Sequence, residues 1–536
     1  MSTIKITAPE LRERRIILPS SKSISNRVLI IRALSALQGE IFSYDCLPEL
    51  FNISDCDDSR VVINALEQLE IENGEGEPAG SDTIDIGAAG TAMRFMTALL
   101  SVCPGTHTIT GTERMRHRPI RLLVEALQKL GADIRYVGEE GFPPLRISGK
   151  VLKGGRICLA GNVSSQYVSA LLMIGPVLQD GLILELTGKV ISRPYIDMTV
   201  AIMAQFGAQV SIADGKDKAT LVLEVLPGGY KPIEYVVESD WSAASYWYEM
   251  VSLATDDKAS VVLPGLIRNS LQGDSRIAEY FEPLGVKTEY LCDNDGKPFV
   301  RLSRVPVRPQ LLVSTYMLNL VNQPDLAQTL VVTCCIQGIK FRFTGLESLK
   351  IKETDRMAAL CTELAKLGFE VEEENGDTLV WKGGRCVSNS KAIDTYDDHR
   401  MAMSFAPVVM RTGTVSINNP EVVSKSYPTF WDDIPKADEN AVDAECCGMH
   451  EVCEKDSLLA AVSRDIEYYE DEELDRFRGV KSDEYLPPEI EEFQYILETM
   501  REDEVAGWMR SLTLRGVALP DELKDEVLMI IGERRQ

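Results

Sequence analysis

Apolar and polar positions along this chain repeat one phrase four times. At Ala126–Ile134 (ALQKLGADI), helically spaced apolar residues run into an apolar–Gly pair and then a short strand. The phrase returns at Ile202–Val210 (IMAQFGAQV), Tyr280–Thr288 (YFEPLGVKT) and Leu364–Val371 (LAKLGFEV). Its glycines, Gly131, Gly207, Gly285 and Gly368, stand 76, 78 and 83 residues apart. A glycine after the last helical turn lets the backbone swing left-handed and stop the helix. A looser copy, Ala65–Glu72 (ALEQLEIE), has Glu70 in the glycine's place. A shortened sixth follows His399, with a helix to Met410, then Gly413 and a strand over Thr414–Ile417. The period is too long for a solenoid and predicts about six α/β units of roughly 60–80 residues in two multi-unit lobes.

The rhythm stops near Pro435. Residues 437–536 hold 28 acidic and 11 basic side chains, a net charge of −17, whereas the 436 residues before them carry a net of only −9. The chain therefore divides into an α/β body and an acidic appendix. In the appendix, Phe493, Ile496, Leu497 and Met500 lie at i, i+3, i+4 and i+7, and Trp508 and Leu512 continue at i, i+4, which predicts an apolar helix face. Ser457–Phe477 and the stretch opening at Pro520-Asp521-Glu522-Leu523 read as further helices, and Asp438–Cys453 as a linker.

Composition narrows the function. At 536 residues, 45% hydrophobic and 26% charged, the chain is an ordinary globular protein of two to four domains. It has no basic-then-apolar leader and no apolar run near the ~18 residues of a membrane span, so a cytoplasmic, membrane-free protein is expected. A formal charge of −26 argues against a nucleic-acid partner. Twelve cysteines are too sparse for a disulfide scaffold, Cys334-Cys335 and Cys446-Cys447 lack zinc spacing, and four histidines are too scattered for a metal site.

Two stretches carry candidate chemistry. Arg15-Ile16-Ile17-Leu18 reads as a strand, followed by Pro19-Ser20-Ser21-Lys22-Ser23-Ile24-Ser25-Asn26-Arg27 and a helix through Ile30, Leu34 and Leu37 that stops at Gly39. Cations and hydroxyls at a helix N-terminus, where free amides also point, make an anion site. The spacing is not that of a P-loop. The segment Asp85–Arg94 (DIGAAGTAMR) repeats the form, with a small-residue turn and then a helix carrying an arginine. With Arg116-His117-Arg118-Pro119, these turns suggest a pocket for phosphate and carboxylate.

These residues resemble a known family. The runs PSSKSISNR, GAAGTAMR and RHRPI, with Val163-Ser164-Ser165-Gln166, Ile191-Ser192-Arg193-Pro194-Tyr195 and Asn269-Ser270-Leu271-Gln272-Gly273-Asp274, resemble 5-enolpyruvylshikimate-3-phosphate synthases. So do Lys352-Glu353-Thr354-Asp355-Arg356, Asp397-Asp398-His399-Arg400-Met401-Ala402-Met403 and Ser424-Lys425-Ser426-Tyr427-Pro428. The blocks fall in family order over residues ~5–433.

The resemblance implies an α/β, two-domain enolpyruvyl transferase fold, each domain three βαβαββ units around an inside-out α/β barrel, with a small helical C-terminal appendage here. One lobe would be 21–238, binding mainly shikimate 3-phosphate. The second would be 1–20 with 239–436, completing the phosphoenolpyruvate site, and 437–536 an acidic extension. The family moves the enolpyruvyl group of phosphoenolpyruvate onto the 5-hydroxyl of shikimate 3-phosphate and releases phosphate, through a tetrahedral ketal and without a cofactor. It works as a monomer. Two polyanions in one cleft need convergent cations.

By matching motif, shikimate 3-phosphate would meet Lys22, Ser23, Arg27, Ser164, Ser165, Gln166, Ser192, Tyr195, Asp325, Ser348 and Lys352. Phosphoenolpyruvate would meet Lys22, Gly90, Arg94, Arg118, Gln166, Arg356, Arg400 and Lys425. Asp325 is the implied proton acceptor, with Glu353 and Lys22 handling the methylene proton, while Asp240, Asp398 and His399 orient the cations. Four positions depart from the family pattern: Ser20 for glycine, Ala88 for asparagine, Phe95 for proline and Ser348 for asparagine. None removes a charged group. UDP-N-acetylglucosamine enolpyruvyl transferases share fold and chemistry but use a loop cysteine near Arg118, where this chain has Glu113-Arg114-Met115-Arg116-His117. A non-catalytic binding protein on the same fold is the remaining alternative.

Overall fold

The computed structural model describes residues 2–37, 47–73, 82–215, 220–389, 391–437, 471–482, 485–500, 505–524 and 527. The chain forms two compact units: residues 1–410 with 414–436, and residues 411–413 with 437–536.

Four four-stranded sheets in the larger unit share one wiring. In the sheet of Thr83–Asp85, Gly105–Thr110, Leu145–Gly149 and Asp133–Tyr136, the first two strands run parallel. The last strand in sequence sits beside the second, antiparallel, and the third takes the edge. The same order and directions hold for Gly155–Ala160, Leu182–Thr187, Thr220–Val225 and Val210–Asp214. They hold again for Arg14–Arg15, Ser260–Pro264, Pro298–Arg304 and Val286–Cys292, and for Tyr316–Asn319, Phe341–Thr344, Thr378–Trp381 and Glu372–Glu374. The repeated phrase is the second helix and third strand of each unit. Its four glycines all have positive φ, 105°, 85°, 89° and 86°, so a side chain there would be strained. The two degenerate copies are two-stranded. Leu50–Phe51 pairs with Tyr235–Val236, and Thr414–Asn418 pairs with Thr3–Thr7, so the sixth unit is completed by the N-terminus.

No sheet mixes described strands from 21–238 with strands from outside that range, and no sheet closes on itself as a strand barrel. Two helices are buried on nearly every side. Trp241–Leu253 buries 12 of its 13 residues and Ala327–Gln337 buries 10 of 11. A helix apolar all round must be covered on every face, which a single sheet cannot do. The Lys22–Ala36 helix ends before Gly39, which lies outside the described residues. No helix of the described residues is long and apolar enough to cross a membrane.

The chain passes out of and back into the range 21–238 at two adjacent segments. Ser21 N–H donates to the Glu238 carbonyl (2.8 Å), Asp240 N–H donates to Pro19 (2.9 Å), and Ser20 bridges Ser239. Ser20 thus sits in a short antiparallel pairing.

The smaller unit has a core of its own, built from Leu474, Phe477, Phe493, Ile496, Leu497, Trp508 and Leu512 among others. The apolar face expected from Phe493 to Leu512 is carried by two helices, Pro487–Thr499 and Val505–Arg515. Glu472–Phe477 is a 3₁₀ turn rather than the end of a long α-helix, and the stretch 521–524 is helical as expected. The expected linker Asp438–Cys453 and the first part of Ser457–Phe477 lie outside the described residues.

Candidate active site

Helix starts set the site's cations. Asp355 caps the helix Arg356–Lys366 by accepting from the amides of Met357 and Ala358 (both 3.1 Å), which puts Arg356 at the first position. Asp398 caps His399–Phe405 through Arg400 N–H (2.9 Å), and Asp240 caps Trp241–Leu253 through Ala243 N–H (2.9 Å). Asp240 also accepts from Lys22 N–H (3.3 Å). Capping carboxylates satisfy amides that the helix leaves free. Here they also fix the direction of the cation that follows.

Two of those cations, with Lys352, close on one carboxylate. Asp325 sits in the Pro324–Leu326 turn, 2.8 Å from Arg356, 3.3 Å from Arg400 and 3.5 Å from Lys352. Tyr195 donates its hydroxyl to the same group at 3.3 Å. Burial would raise the Asp325 carboxyl, but Arg400, Lys352 and Arg356 together hold it well below the usual carboxylate range. Arg356 is 2% exposed and reaches two further acids, Asp398 at 2.7 Å and Glu353 at 2.9 Å. Glu353 in turn holds Lys425 at 2.9 Å. Burial opposes its ionisation, yet Arg356 and Lys425 keep it well below its ordinary value.

Lys22 pairs instead with Asp58 of the helix Asp57–Asn73 at 2.9 Å. Burial works against its charge, but Asp58 holds its pKa above the ordinary lysine value. The neighbouring Asp57 accepts from Ser424, beside Lys425, at 2.5 Å. His399 is buried, and burial followed by Lys22 and Arg400 drives it well below its usual pKa, so it stands neutral. Asp57 and Asp58 were not anticipated from the motifs, although two acids at a helix start facing a cation-rich segment were a usable signal.

The Gly90 turn forms a second cluster. The Arg118 guanidinium lies over Gly90, so close that a Cβ there would meet its Nη1 at 2.6 Å. Arg94 is buried and donates to the Gly90 carbonyl (3.1 Å) and the Pro119 carbonyl (3.1 Å), tying the turn to the Arg118 loop. Gln166 donates to Thr91 at 3.0 Å, so the Ser164–Ser165–Gln166 helix start joins this cluster.

Arg27, like Arg94, is buried among neutral partners. It is 3% exposed, with its nitrogens on Thr199 (2.7 Å), the Ser23 carbonyl (2.8 Å), Ser169 (3.1 Å) and the Tyr195 carbonyl (3.3 Å). Its guanidinium lies 5.4 Å from the ring centre of Phe95. Burial lowers its pKa to about 10, and it serves as a bracket behind Tyr195. Ser192 begins the helix Arg193–Gln205 with φ 52°, in the left-handed region. Ser23, Ser165 and Ser348 are half-buried on the same turns as Lys22, Gln166 and Lys352.

The arrangement is a set of cations held apart by carboxylates. An incoming phosphate or carboxylate can replace an acid as the partner of Lys22, Lys352, Arg356, Arg400 or Lys425, and arginine's fork makes that exchange two-pronged.

The comparisons agree with this chemistry. The EPSP synthase (3-phosphoshikimate 1-carboxyvinyltransferase) family model matches residues 7–434. A 3-phosphoshikimate 1-carboxyvinyltransferase of Bacteroides fragilis (strain ATCC 25285) is 51% identical over 81% of this chain and 97% of its own length. One from Vibrio cholerae serotype O1 (strain M66-2) is 34% identical over 81% of this chain and 98% of its own. An EPSP synthase structure from Acinetobacter baumannii shares the fold, with a TM-score of 0.61 and 21% identity over 81% of this chain and 97% of that one. The chain belongs to the EPSP synthase (3-phosphoshikimate 1-carboxyvinyltransferase) family.

Proposed function

We propose that this enzyme transfers the enolpyruvyl group of phosphoenolpyruvate to the 5-hydroxyl of shikimate 3-phosphate and releases phosphate, a step toward chorismate and the aromatic amino acids. The observation that carries the reading is the grip of Lys352, Arg356 and Arg400 on Asp325. In the free enzyme those cations make Asp325 a poor base. When the substrates' phosphate and carboxylate groups draw the cations away, its pKa rises and it takes the 5-hydroxyl proton as the oxygen attacks C2 of phosphoenolpyruvate. Glu353 and Lys22 handle the methylene proton. Lys425, with Arg118 over the Gly90 turn, holds the phosphate that leaves.

Residues 21–238 form one lobe, with Ser164, Ser165, Gln166, Ser192 and Tyr195 on the shikimate 3-phosphate side. Residues 1–20 and 239–436 form the other, bringing Asp325, Glu353, Arg356, Arg400 and Lys425. Closure of the two over the substrates excludes water and strengthens each fixed charge. The enzyme works as a cytoplasmic monomer, and residues 437–536 take no part in the chemistry. The test is phosphate release with both substrates and with each alone. Release that requires both supports the reading, and none with both refutes it.

A further inference from the structure

The Asn269–Asp274 motif is left without a role in the site, yet its Ser270, Gln272 and Asp274 side chains are all engaged. Ser270 donates to Glu238 (2.6 Å). The Gln272 amide accepts from Trp241 N–H (2.9 Å) and donates to the Ser239 carbonyl (2.8 Å). Asp274 accepts from the Ser242 hydroxyl (2.5 Å). All four partners lie in 238–242, the second segment by which the chain crosses between the proposed lobes. Gln272 and Asp274 are both buried, so these bonds form away from water.

The other side of the motif faces the Ser192–Tyr195 turn. A methyl on Gly273 would lie 2.5 Å from Cβ and 2.9 Å from Cγ of Pro194, a stiff ring that cannot swing aside, and 3.8 Å from Gln323. Gly273 does not have positive φ, so space alone keeps a side chain out. Pro194 lies two residues after Ser192, whose left-handed backbone persists only where neighbours hold it. Ser192 N–H donates to the Val321 carbonyl (3.0 Å), and Tyr195 reaches Asp325.

We propose that the Gln272–Asp274 turn is the bearing that seats the Ser192–Tyr195 turn against the Val321–Asp325 loop, with Gly273 as its positioning residue. Gln272 and Asp274 pin the turn to the crossing. Gly273, having no side chain, lets Pro194 come into contact and so sets how closely Ser192 and Tyr195 approach the opposite loop. The inference deepens the two-lobe reading above and rests on it. Gly273 touches no reacting atom and acts through Pro194, so its effect belongs to the shikimate 3-phosphate side and not to the Gly90–Arg118 side.

The test is Gly273→Ala, made in the native chain and in a Pro194→Gly background. In the native background, the Michaelis constant for shikimate 3-phosphate rises about tenfold or more, as overpacking at a close contact requires. The constant for phosphoenolpyruvate moves far less. Amide exchange of the Ser192–Tyr195 segment speeds up in the substrate-free protein, while the strands Gly155–Ala160 and Leu182–Thr187 keep their protection and report an intact fold. In the Pro194→Gly background the methyl has no ring to meet, and both effects vanish. Native constants and exchange in Gly273→Ala, equal effects in both backgrounds, or a joint rise for both substrates would each overturn the proposal. The exchange measurement needs no substrate. An unmodified protein that releases no phosphate therefore counts against the reaction, and exchange still decides the bearing.

Discussion

Asp325 and Glu249 show how environment sets one chemical group to opposite ends. Asp325 is ionised because three cations outweigh its burial. Asp325→Ala therefore lowers turnover by about 10²-fold or more, as loss of a general base does. It also frees Lys352, Arg356 and Arg400, so phosphoenolpyruvate binding does not weaken. Steady-state and binding measurements on the variant separate these effects, and near-native turnover removes Asp325 from the mechanism. Glu249 lies fully buried in the helix Trp241–Leu253. Burial pushes it well above the carboxylate range, opposed only by the nearby Thr333 hydroxyl. Its folded pKa exceeds its unfolded one, so the protein loses stability as pH rises above the unfolded value of about 4.3. Glu249→Gln removes that loss. Its melting temperature exceeds the native one by several degrees near about pH 8, and the gap closes near about pH 4. A gap independent of pH would show that folding does not raise the Glu249 pKa above its unfolded value. Asp325 and Glu353 have the reverse sign, stabilising above the unfolded carboxylate values and ceasing to do so as acid protonates them.

Helix starts decide what an element contributes, and the Gly90 turn is the clearest case. An added methyl there meets the far end of Arg118, a flexible side chain, rather than backbone. Gly90→Ala therefore keeps the helix Gly90–Val102 and displaces the guanidinium. The Michaelis constant for phosphoenolpyruvate rises about tenfold, the scale of one charge-assisted bond, while that for shikimate 3-phosphate barely moves. Equal shifts for both substrates would count against this placement of Arg118. Elements of this kind were readable from the chain wherever a local rule governs them. The glycines Gly131, Gly207, Gly285 and Gly368 announce helix ends because only a left-handed residue fits there, and the capping aspartates Asp355 and Asp398 stand one and two residues before the arginines they aim. Pairings between distant segments were not readable. Lys22 and Asp58 are 36 positions apart, and Arg356 and Asp398 are 42. Nothing local distinguishes Arg27, a buried bracket, from Arg356, which faces three carboxylates. That difference comes from the helices packed around each.

The whole molecule joins a family-length body to a unit the family match does not reach. The smaller unit's core is modest, so one buried ionic centre can decide whether it folds. Arg515 and Asp471 are both fully buried and paired, and Asp471 also accepts from Trp508 Nε1 at 2.8 Å. Arg515 makes a second bond to Asp475 (3.1 Å), whose side chain is 29% exposed. Asp471→Ala takes the buried counter-charge from the guanidinium, which keeps the partly exposed Asp475 and the Ser511 and residue-471 carbonyls, and it takes the acceptor from the Trp508 indole N–H. Removing one member of a buried pair costs about 3–5 kcal/mol, which is comparable to the whole stability of so small a unit. The variant therefore unfolds the unit, seen as fast amide exchange across Pro487–Thr499 and Val505–Arg515. Phosphate release by the body stays within about twofold, because no matched site residue lies beyond Lys425. A chain ending at Ala437 behaves likewise in turnover. If the variant or the shortened chain lost activity while the body kept its exchange protection, the C-terminal unit would have to act on the reaction, and its assignment as separate from the chemistry would fail.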